Sequence, residues 1–120
     1  MRVGTERGSA SVLMAGVMGV VVLLAYATML VAGYAVAYHR ARGAADLTAV
    51  SAAQTFRSGG DACRQARRSA ADNGAGLLSC TVVGDQIGFV VTVRVSIPTP
   101  SRVTGLPGRV EAEAYAGPVR

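Results

Sequence analysis

The stretch SASVLMAGVMGVVVLLAYATMLVAGYAVAY, residues 9–38, decides how this chain folds, because its thirty residues carry no charge. An α-helix rises about 1.5 Å per residue, so a helix of this length exceeds the roughly 30 Å hydrocarbon core of a bilayer. The stretch therefore predicts a single membrane-spanning helix. A cleavable export signal is the alternative, since a short basic head precedes the stretch and the triplets 25–27 and 35–37 fit small-x-small cleavage patterns. The apolar sequence that continues beyond the first triplet favours the anchor.

The rest of the chain is small. Of 120 residues, 82 follow the apolar stretch, which is too few for two domains and marginal for one self-sufficient core. A hydrophobic fraction of 51% with only 16% charged residues excludes an intrinsically disordered chain. The net charge is +5, and every positive residue is an arginine. This balance predicts attraction to polyanions, including lipid headgroups and envelope polymers. The small size of the chain excludes a large enzyme.

The two cysteines, Cys63 and Cys80, both follow the apolar stretch. Such a pair outside the cytosol predicts a disulfide, which in the chain-entropy model stabilises a small core by roughly 3 kcal/mol. Two free cytosolic thiols are the alternative. A zinc site would need four ligands, and the lone His39 lies at the predicted membrane edge, so we expect no metal.

The orientation of the anchor cannot be read from flanking charges. Arg2 and Arg7 precede the apolar stretch, and Arg40 and Arg42 follow it, so the positive charges are nearly balanced. The cysteine pair therefore decides the prediction. We expect a single-pass protein of the cell membrane with its C-terminal part outside the cytoplasm.

Small residues recur at helical spacing within the apolar stretch and beyond it. Ala15 with Gly19, and Gly33 with Ala37, have the small-xxx-small spacing that favours close helix packing in lipid. Residues 39–58 contain no proline and extend the predicted helix, with a second stripe of small residues at positions 41, 44, 45, 48, 49, 52 and 53. Packing of this stripe on a sheet of the same chain, or a composition rich in alanine, explains it equally well.

A second, shorter helix is predicted over residues 62–72. The sequence Ser58-Gly59-Gly60-Asp61 interrupts the first helix, Asp61 is a suitable N-cap, and Asn73-Gly74 follow the last turn. The helix places three arginines on one face, namely Arg64, Arg67 and Arg68. They are candidates for binding an anionic lipid or envelope polymer. A solvated face is the simpler interpretation, and without interleaved aromatic residues we expect no nucleic acid partner. The opposite face is predicted to turn inward and comprises Ala62, Cys63, Ala66 and Ala70.

After residue 76 the apolar period changes from helical to two, which predicts β-strands. The clearest strand places one row of residues inward, namely Ile87, Phe89, Val91, Val93, Val95 and Ile97. Residues 77–83 supply its partner through a two-residue turn at Gly84-Asp85. Pro98 ends the long strand, and residues 109–116 return as a third strand. The predicted fold class is α+β: a long N-terminal transmembrane helix, a short second helix and a three-stranded antiparallel meander.

Catalytic chemistry is not expected from this sequence. His39 lacks a plausible nucleophilic partner, and the pair Glu111 and Glu113 lies on one face of a strand, where a solvated edge is the simplest interpretation. No GxxxxGK phosphate loop occurs. We therefore predict neither enzymatic activity nor a cofactor, and no small-molecule substrate.

Several segments together resemble a known family. They are the sequence RGSASV of residues 7–12 leading into the apolar helix, YHRARGAADLTAV of residues 38–50, Ala62-Cys63, Asn73-Gly74-Ala75, Cys80, and the terminal EAYAGP of residues 113–118. Over nearly the whole chain they are similar to TadE-like and TadG-like pseudopilins of the tight-adherence (Tad/Flp) pilus systems. The likeness is strongest to the small actinobacterial TadE-like proteins encoded beside helicase and secretion genes.

The resemblance implies a pilin-like fold and a membrane-inserted subunit of a Tad-type pilus or secretion apparatus. Its partners would be the lipid bilayer and other pilin-like or Tad platform subunits. By analogy with prepilins, a leader peptidase would cut between Gly8 and Ser9. Prepilins and many TadE proteins carry a glutamate at the fifth mature position, where this sequence has Leu13.

The predicted domain organisation follows from these segments. Residues 1–8 form a leader or cytoplasmic head, 9–38 the transmembrane helix, 39–58 its extension, and 59–120 a small extracytoplasmic α+β domain. The expected function is that of a structural or accessory pilin-like subunit. The alternative is a membrane-tethered extracytoplasmic module in which the three arginines of the second helix bind an anionic envelope component.

Overall fold

The computed structural model describes the backbone of residues 3–99 and 108–118, and the side chains from residue 8 onward within those ranges. Helix α1 spans Val3–Arg57 and helix α2 spans Ala62–Asp72. Three strands follow: β1 at Gly76–Gly84, β2 at Phe89–Pro98 and β3 at Arg109–Ala116. This order confirms the predicted α+β class. The chain divides into two units, Met1–Ala32 and Gly33–Arg120.

The first unit consists of helix in its described part, and its described side chains are exposed apart from the half-buried Leu30. Every residue from 8 to 29 is exposed, including large apolar side chains such as Leu13 and Met29. Hydrogen bonds within the helix satisfy the backbone polar groups, so the surface of this segment consists of side chains, most of which are apolar.

The second unit contains a three-stranded sheet in the order β1-β2-β3. Both strand pairs are antiparallel, with Val82 opposite Val91 and Val93 opposite Ala114. The register shifts between Leu77 and Ser79, which leaves Leu78 exposed at an irregularity of β1. The predicted meander is therefore confirmed, with its middle strand β2 shared by both pairs.

The hairpin between β1 and β2 differs from the prediction. Four residues, 85–88, separate the paired ends Gly84 and Phe89, where a two-residue turn at Gly84-Asp85 was expected. The carboxylate of Asp85 accepts hydrogen bonds from the backbone N–H groups of Ile87 and Gly88, at 3.0 and 2.8 Å. These bonds close a longer loop. Ile87 consequently lies outside the strand and is 87% exposed, so its predicted place in the core is wrong.

Gly84 is required by the geometry of this hairpin. Its φ of +115° is a conformation that residues with a Cβ rarely adopt. A side chain here would also collide with the carbonyl oxygen of Gly88. The strand therefore ends at a residue that permits both the unusual backbone angle and the close approach of the opposite strand.

The core forms where the small residues of α1 meet the inner face of the sheet. Within the second unit, α1 buries a stripe that consists of Ala41, Ala44, Ala45, Thr48, Ala49 and Ala52. The sheet contributes Phe89, Val91, Val93, Val95, Ile97, Ala112 and Ala114. Because alanine side chains are short, the helix backbone can approach the branched valines closely. Of the interpretations open for this stripe, the structure shows packing on the sheet of the same chain.

Helix α2 completes the cover of the sheet. Asp61 caps it, since its carboxylate accepts a hydrogen bond from the backbone N–H of Arg64 at 3.1 Å. Ala62, Ala66 and Ala70 are buried, as predicted for the inward face. The side chain of Gln65 donates a hydrogen bond to the hydroxyl of Ser51 on α1 at 2.9 Å, which fixes the two helices of this unit to each other.

Candidate interaction surfaces

The N-terminal helix presents the most apolar surface of the described chain. It contains a window of mean hydropathy 2.3, none of which is buried inside the structure. By length and composition, this helix can cross a membrane. The predicted processing pair Gly8 and Ser9 is exposed and lies within this helix, which begins at Val3.

The four residues predicted to mediate helix packing divide into two groups. Ala15 and Gly19 are exposed, and a Cβ added at Gly19 would meet no atom within 4 Å. Gly33 is half-buried and Ala37 is only 4% exposed. In this conformation a partner helix can therefore reach Ala15 and Gly19, whereas Ala37 is covered by its own chain.

The disulfide joins Cys63 of α2 to Cys80 of β1, with their Cα atoms 5.7 Å apart. Both residues lie on elements that pack together, so the bridge closes a contact that the fold itself creates. The half-buried position of each cysteine matches a structural role. The geometry of the pair therefore supports the predicted disulfide over two free thiols.

The arginines Arg64, Arg67 and Arg68 are exposed on α2, opposite its buried alanines. Within the described part of the chain, none of the three takes part in a salt bridge. Exposed Asp61 and Asp72 lie at the two ends of the same helix and form no salt bridge with these arginines in the described chain. Three cations on one face of a helix raise the local concentration of anions.

The outer face of the sheet carries a charged cluster that the sequence did not reveal as a unit. Arg94 donates to Glu111 at 2.8 Å and its Nε lies 3.9 Å from Glu113. The Tyr115 hydroxyl donates to Glu113, and this hydrogen bond, with the nearby negative charge, raises the pKa of Tyr115. The two glutamates are thus engaged by neighbours on an open strand surface, as expected for a solvated edge.

An apolar patch lies at the hairpin end of the second unit. Val83, Ile87 and Val90 are exposed there, and Tyr115 is 67% exposed on the adjoining part of the outer face. Val83 and Val90 are opposite each other in the register. Sequence reasoning missed this patch because it assigned Ile87 to the strand interior; an apolar residue within a short Gly-containing loop was the available signal.

Comparison with known protein families, with curated proteins and with solved structures gives no match to this chain. Among the described residues, no group of three or more His, Cys, Asp or Glu side chains is arranged to hold a metal ion. The functional interpretation therefore depends on the surfaces of the chain itself.

Proposed function

We propose that this protein is a pilin-like, TadE-like membrane-anchored subunit, structural or accessory, of a Tad/Flp-type pilus or secretion apparatus. Its activity is assembly without chemical turnover. The observation that supports the proposal is the contrast along α1: residues 8–29 are entirely exposed and apolar in character, whereas Ala41 to Ala52 form a stripe buried against a sheet.

This contrast has a physical reason in the proposed role. Exposed side chains such as Leu23 and Leu24 would be unfavourable in water, and lipid removes that cost. The buried alanine stripe, in turn, makes the later part of the same helix the scaffold of a small domain. In this proposal the first part of α1 lies in lipid and its later part packs in a domain outside the lipid, as expected for a pilin-like subunit.

The proposed topology is a single pass through the cell membrane, with the α+β domain outside the cytoplasm. The disulfide supports this orientation, because such bonds persist in oxidising compartments and are rare in the cytosol. The proposed partners are the lipid bilayer and other pilin-like or Tad platform subunits.

Purification of the tagged full-length chain in mild detergent tests the proposed assembly. We expect Tad platform or pilin subunits to co-purify. We also expect Gly19→Leu to reduce their yield, because Gly19 is exposed and a side chain there would hold a neighbouring helix away. Val21→Leu is the matched control, since Val21 is already large and exposed. Recovery of the chain without any such subunit, in cells that express the apparatus, contradicts the proposal.

A second candidate function is a tethered module that binds an anionic envelope component. The exposure of Arg64, Arg67 and Arg68 without salt bridges in the described chain favours it. The triple substitution by Gln should abolish a salt-sensitive affinity for a soluble polyanion such as polyphosphate. Substitution of Arg94, which already pairs with Glu111, should leave that affinity unchanged and is the control. Equal binding by the wild type and the triple variant excludes this function.

A further inference from the structure

Strand β1 lies at an edge of the sheet, and no strand pairs with its free side among the described residues. The free side of an edge strand presents backbone N–H and C=O groups with which another chain can pair, and charged residues or proline usually prevent this. The opposite edge strand, β3, carries three charged residues, namely Arg109, Glu111 and Glu113. β1 contains neither a charged residue nor a proline. The irregularity between Leu77 and Ser79 limits its regular free edge to residues 79–84.

The hairpin shows which backbone groups of β1 face the free edge. The N–H of Asp85 donates to the carbonyl of Gly88 at 3.1 Å. In an antiparallel pair, residues that bond to the partner strand alternate with residues whose backbone groups point away from it. Counted from the bond at Asp85, Val83 bonds to β2, whereas the N–H and C=O groups of Val82 and Cys80 point to the free edge.

Helix α2 places a positive charge beside this edge. It packs on the inner face of the sheet, where Cys63 is joined to Cys80 of β1. Arg67 follows Cys63 by four residues, about one turn, so it leaves the helix on the side of β1. Gln65 leaves on the other side and bonds to Ser51 of α1. Arg67 is exposed and forms no salt bridge within the described chain.

The two acidic residues at the ends of α2 do not neutralise this charge. Asp61 lies four residues before Gln65 and Asp72 seven residues after it, so both share the side of the helix that faces α1. The free edge is therefore uncharged along its length and positive where α2 borders it. Two copies paired through β1 would bring Arg67 of each copy together, so charge disfavours a second copy at this edge and favours an acidic partner.

We propose that an extended, acidic segment of a partner protein adds to the free edge of β1 as a fourth strand. Its backbone pairs with the outward groups of Cys80 and Val82, and an acidic side chain on its inner face lies beside Arg67. On the outer face, Val83 is 71% exposed and contacts an apolar side chain of the added strand. This site goes beyond the proposed assembly through the membrane helix and does not depend on it.

A synthetic peptide tests the strand addition on the full-length chain in detergent micelles. The probe is the fluorescein-labelled peptide TVTETETVT, and its binding is measured by fluorescence anisotropy. We expect saturable binding that is lost when lysine replaces both glutamates. An added strand pairs through the N–H groups of alternate residues, so N-methylation of the threonines and N-methylation of the residues between them should differ, with only one of the two blocking binding. No saturable binding, equal binding by both N-methylated peptides, or equal binding of the lysine peptide overturns the proposal.

Variants of the chain locate the site. Val82→Pro removes an outward N–H, and Val82→Ala is the matched control that loses packing but keeps this donor. We expect Val82→Pro to bind the peptide about tenfold more weakly than Val82→Ala. If Val82→Pro does not fold, as circular dichroism would show, the N-methylated peptides on the wild type decide the question.

A second pair of variants tests the charge. Arg67→Gln should weaken binding about threefold, the change that one surface ion pair typically produces. Arg68→Gln is the matched control, because Arg68 follows Gln65 by three residues and lies towards α1, so its loss should have a smaller effect. Equal effects of the two arginine variants overturn the proposal, because they indicate a general attraction of anions to α2. A dimer of the wild type that Val82→Pro abolishes and Val82→Ala retains also overturns it, because a second copy would then occupy the edge.

Discussion

Thr48 is a polar residue in a place that suits an apolar one. It is fully buried in the alanine stripe, and its hydroxyl has no hydrogen-bond partner among the described residues. A buried hydroxyl without a partner costs free energy, so Thr48→Val, which keeps the shape, should raise the free energy of unfolding by about 1 kcal/mol.

Denaturant unfolding of the full chain in detergent micelles measures this effect. Thr55→Val is the matched control, because the Thr55 hydroxyl donates to the carbonyl of Ser51 at 3.0 Å and its removal should bring no gain. A loss of stability in Thr48→Val would show that the hydroxyl has a favourable partner in solution.

Asp85 makes the stability of the hairpin between β1 and β2 depend on pH. Backbone N–H groups of Gly88 and Ile87 donate to its carboxylate and lower the pKa of Asp85 below its ordinary value of 3.8. A group with a lowered folded pKa stabilises the fold above its unfolded pKa and loses this contribution as the pH falls through the folded pKa. We therefore expect the hairpin to loosen below pH 3.8.

Hydrogen exchange of the backbone amides around the hairpin, compared between pH 6 and pH 2 after correction for intrinsic rates, measures the loosening. Asp85→Ala should be less protected at pH 6 and should show little further loss on acidification. An identical pH response in the wild type and in Asp85→Ala would exclude Asp85 as the source.

At the scale of elements, α2 depends on its covalent link to the sheet. Its buried side chains, Ala62, Ala66, Ser69 and Ala70, are all small and contribute little apolar area. The bridge from Cys63 to Cys80 spans a sequence separation of 17, and a loop of this length predicts a stabilisation of about 3 kcal/mol. Cys63→Ser with Cys80→Ser should lower the free energy of unfolding by about this amount.

The double variant, which has no disulfide to reduce, is also the control for an experiment with a reductant. A reductant should destabilise the wild type towards the variant and leave the variant unchanged, as measured by thermal unfolding in micelles. Labelling of both cysteines by a thiol reagent without reductant would contradict the bridge altogether.

At the scale of the whole molecule, the amino terminus decides whether the chain is processed as a prepilin. The proposed pilin-like role predicts a cut between Gly8 and Ser9, so the mature chain should begin at Ser9. By analogy with prepilins, in which the cut follows a glycine, Gly8→Leu should block it. Gly16→Leu, deeper in the same helix, should leave processing unchanged.

Intact-mass measurement on membrane preparations distinguishes the outcomes. A chain that begins at Met1 shows that the head is retained. A chain that begins after Ala27 shows that the apolar helix is a cleaved signal and would exclude the anchor. The outcome therefore tests the membrane proposal together with its processing site.

Periodicity in the sequence predicted most of the fold correctly. The charge-free stretch, the cap at Asp61 and the alternation of Val91, Val93 and Val95 each depend on local spacing, which one helix or strand expresses without help from the rest of the chain. The inward face of α2 was predictable for the same reason. The candidate interaction surfaces were harder to predict from the sequence, because the exposure of an arginine or a valine depends on which residues the other elements cover.

The sequence by itself determined which segments are helix or strand, which side chains share a face, and that two cysteines follow the apolar stretch. Only the tertiary structure decided what covers each face. It placed the alanine stripe of α1 on the sheet, moved Ile87 into an exposed loop through the hydrogen bonds of Asp85, and joined Arg94 to Glu111. The spacing of residues within one helix or strand determines which side chains share a face. The element that covers this face is distant in sequence, so local spacing does not reveal it.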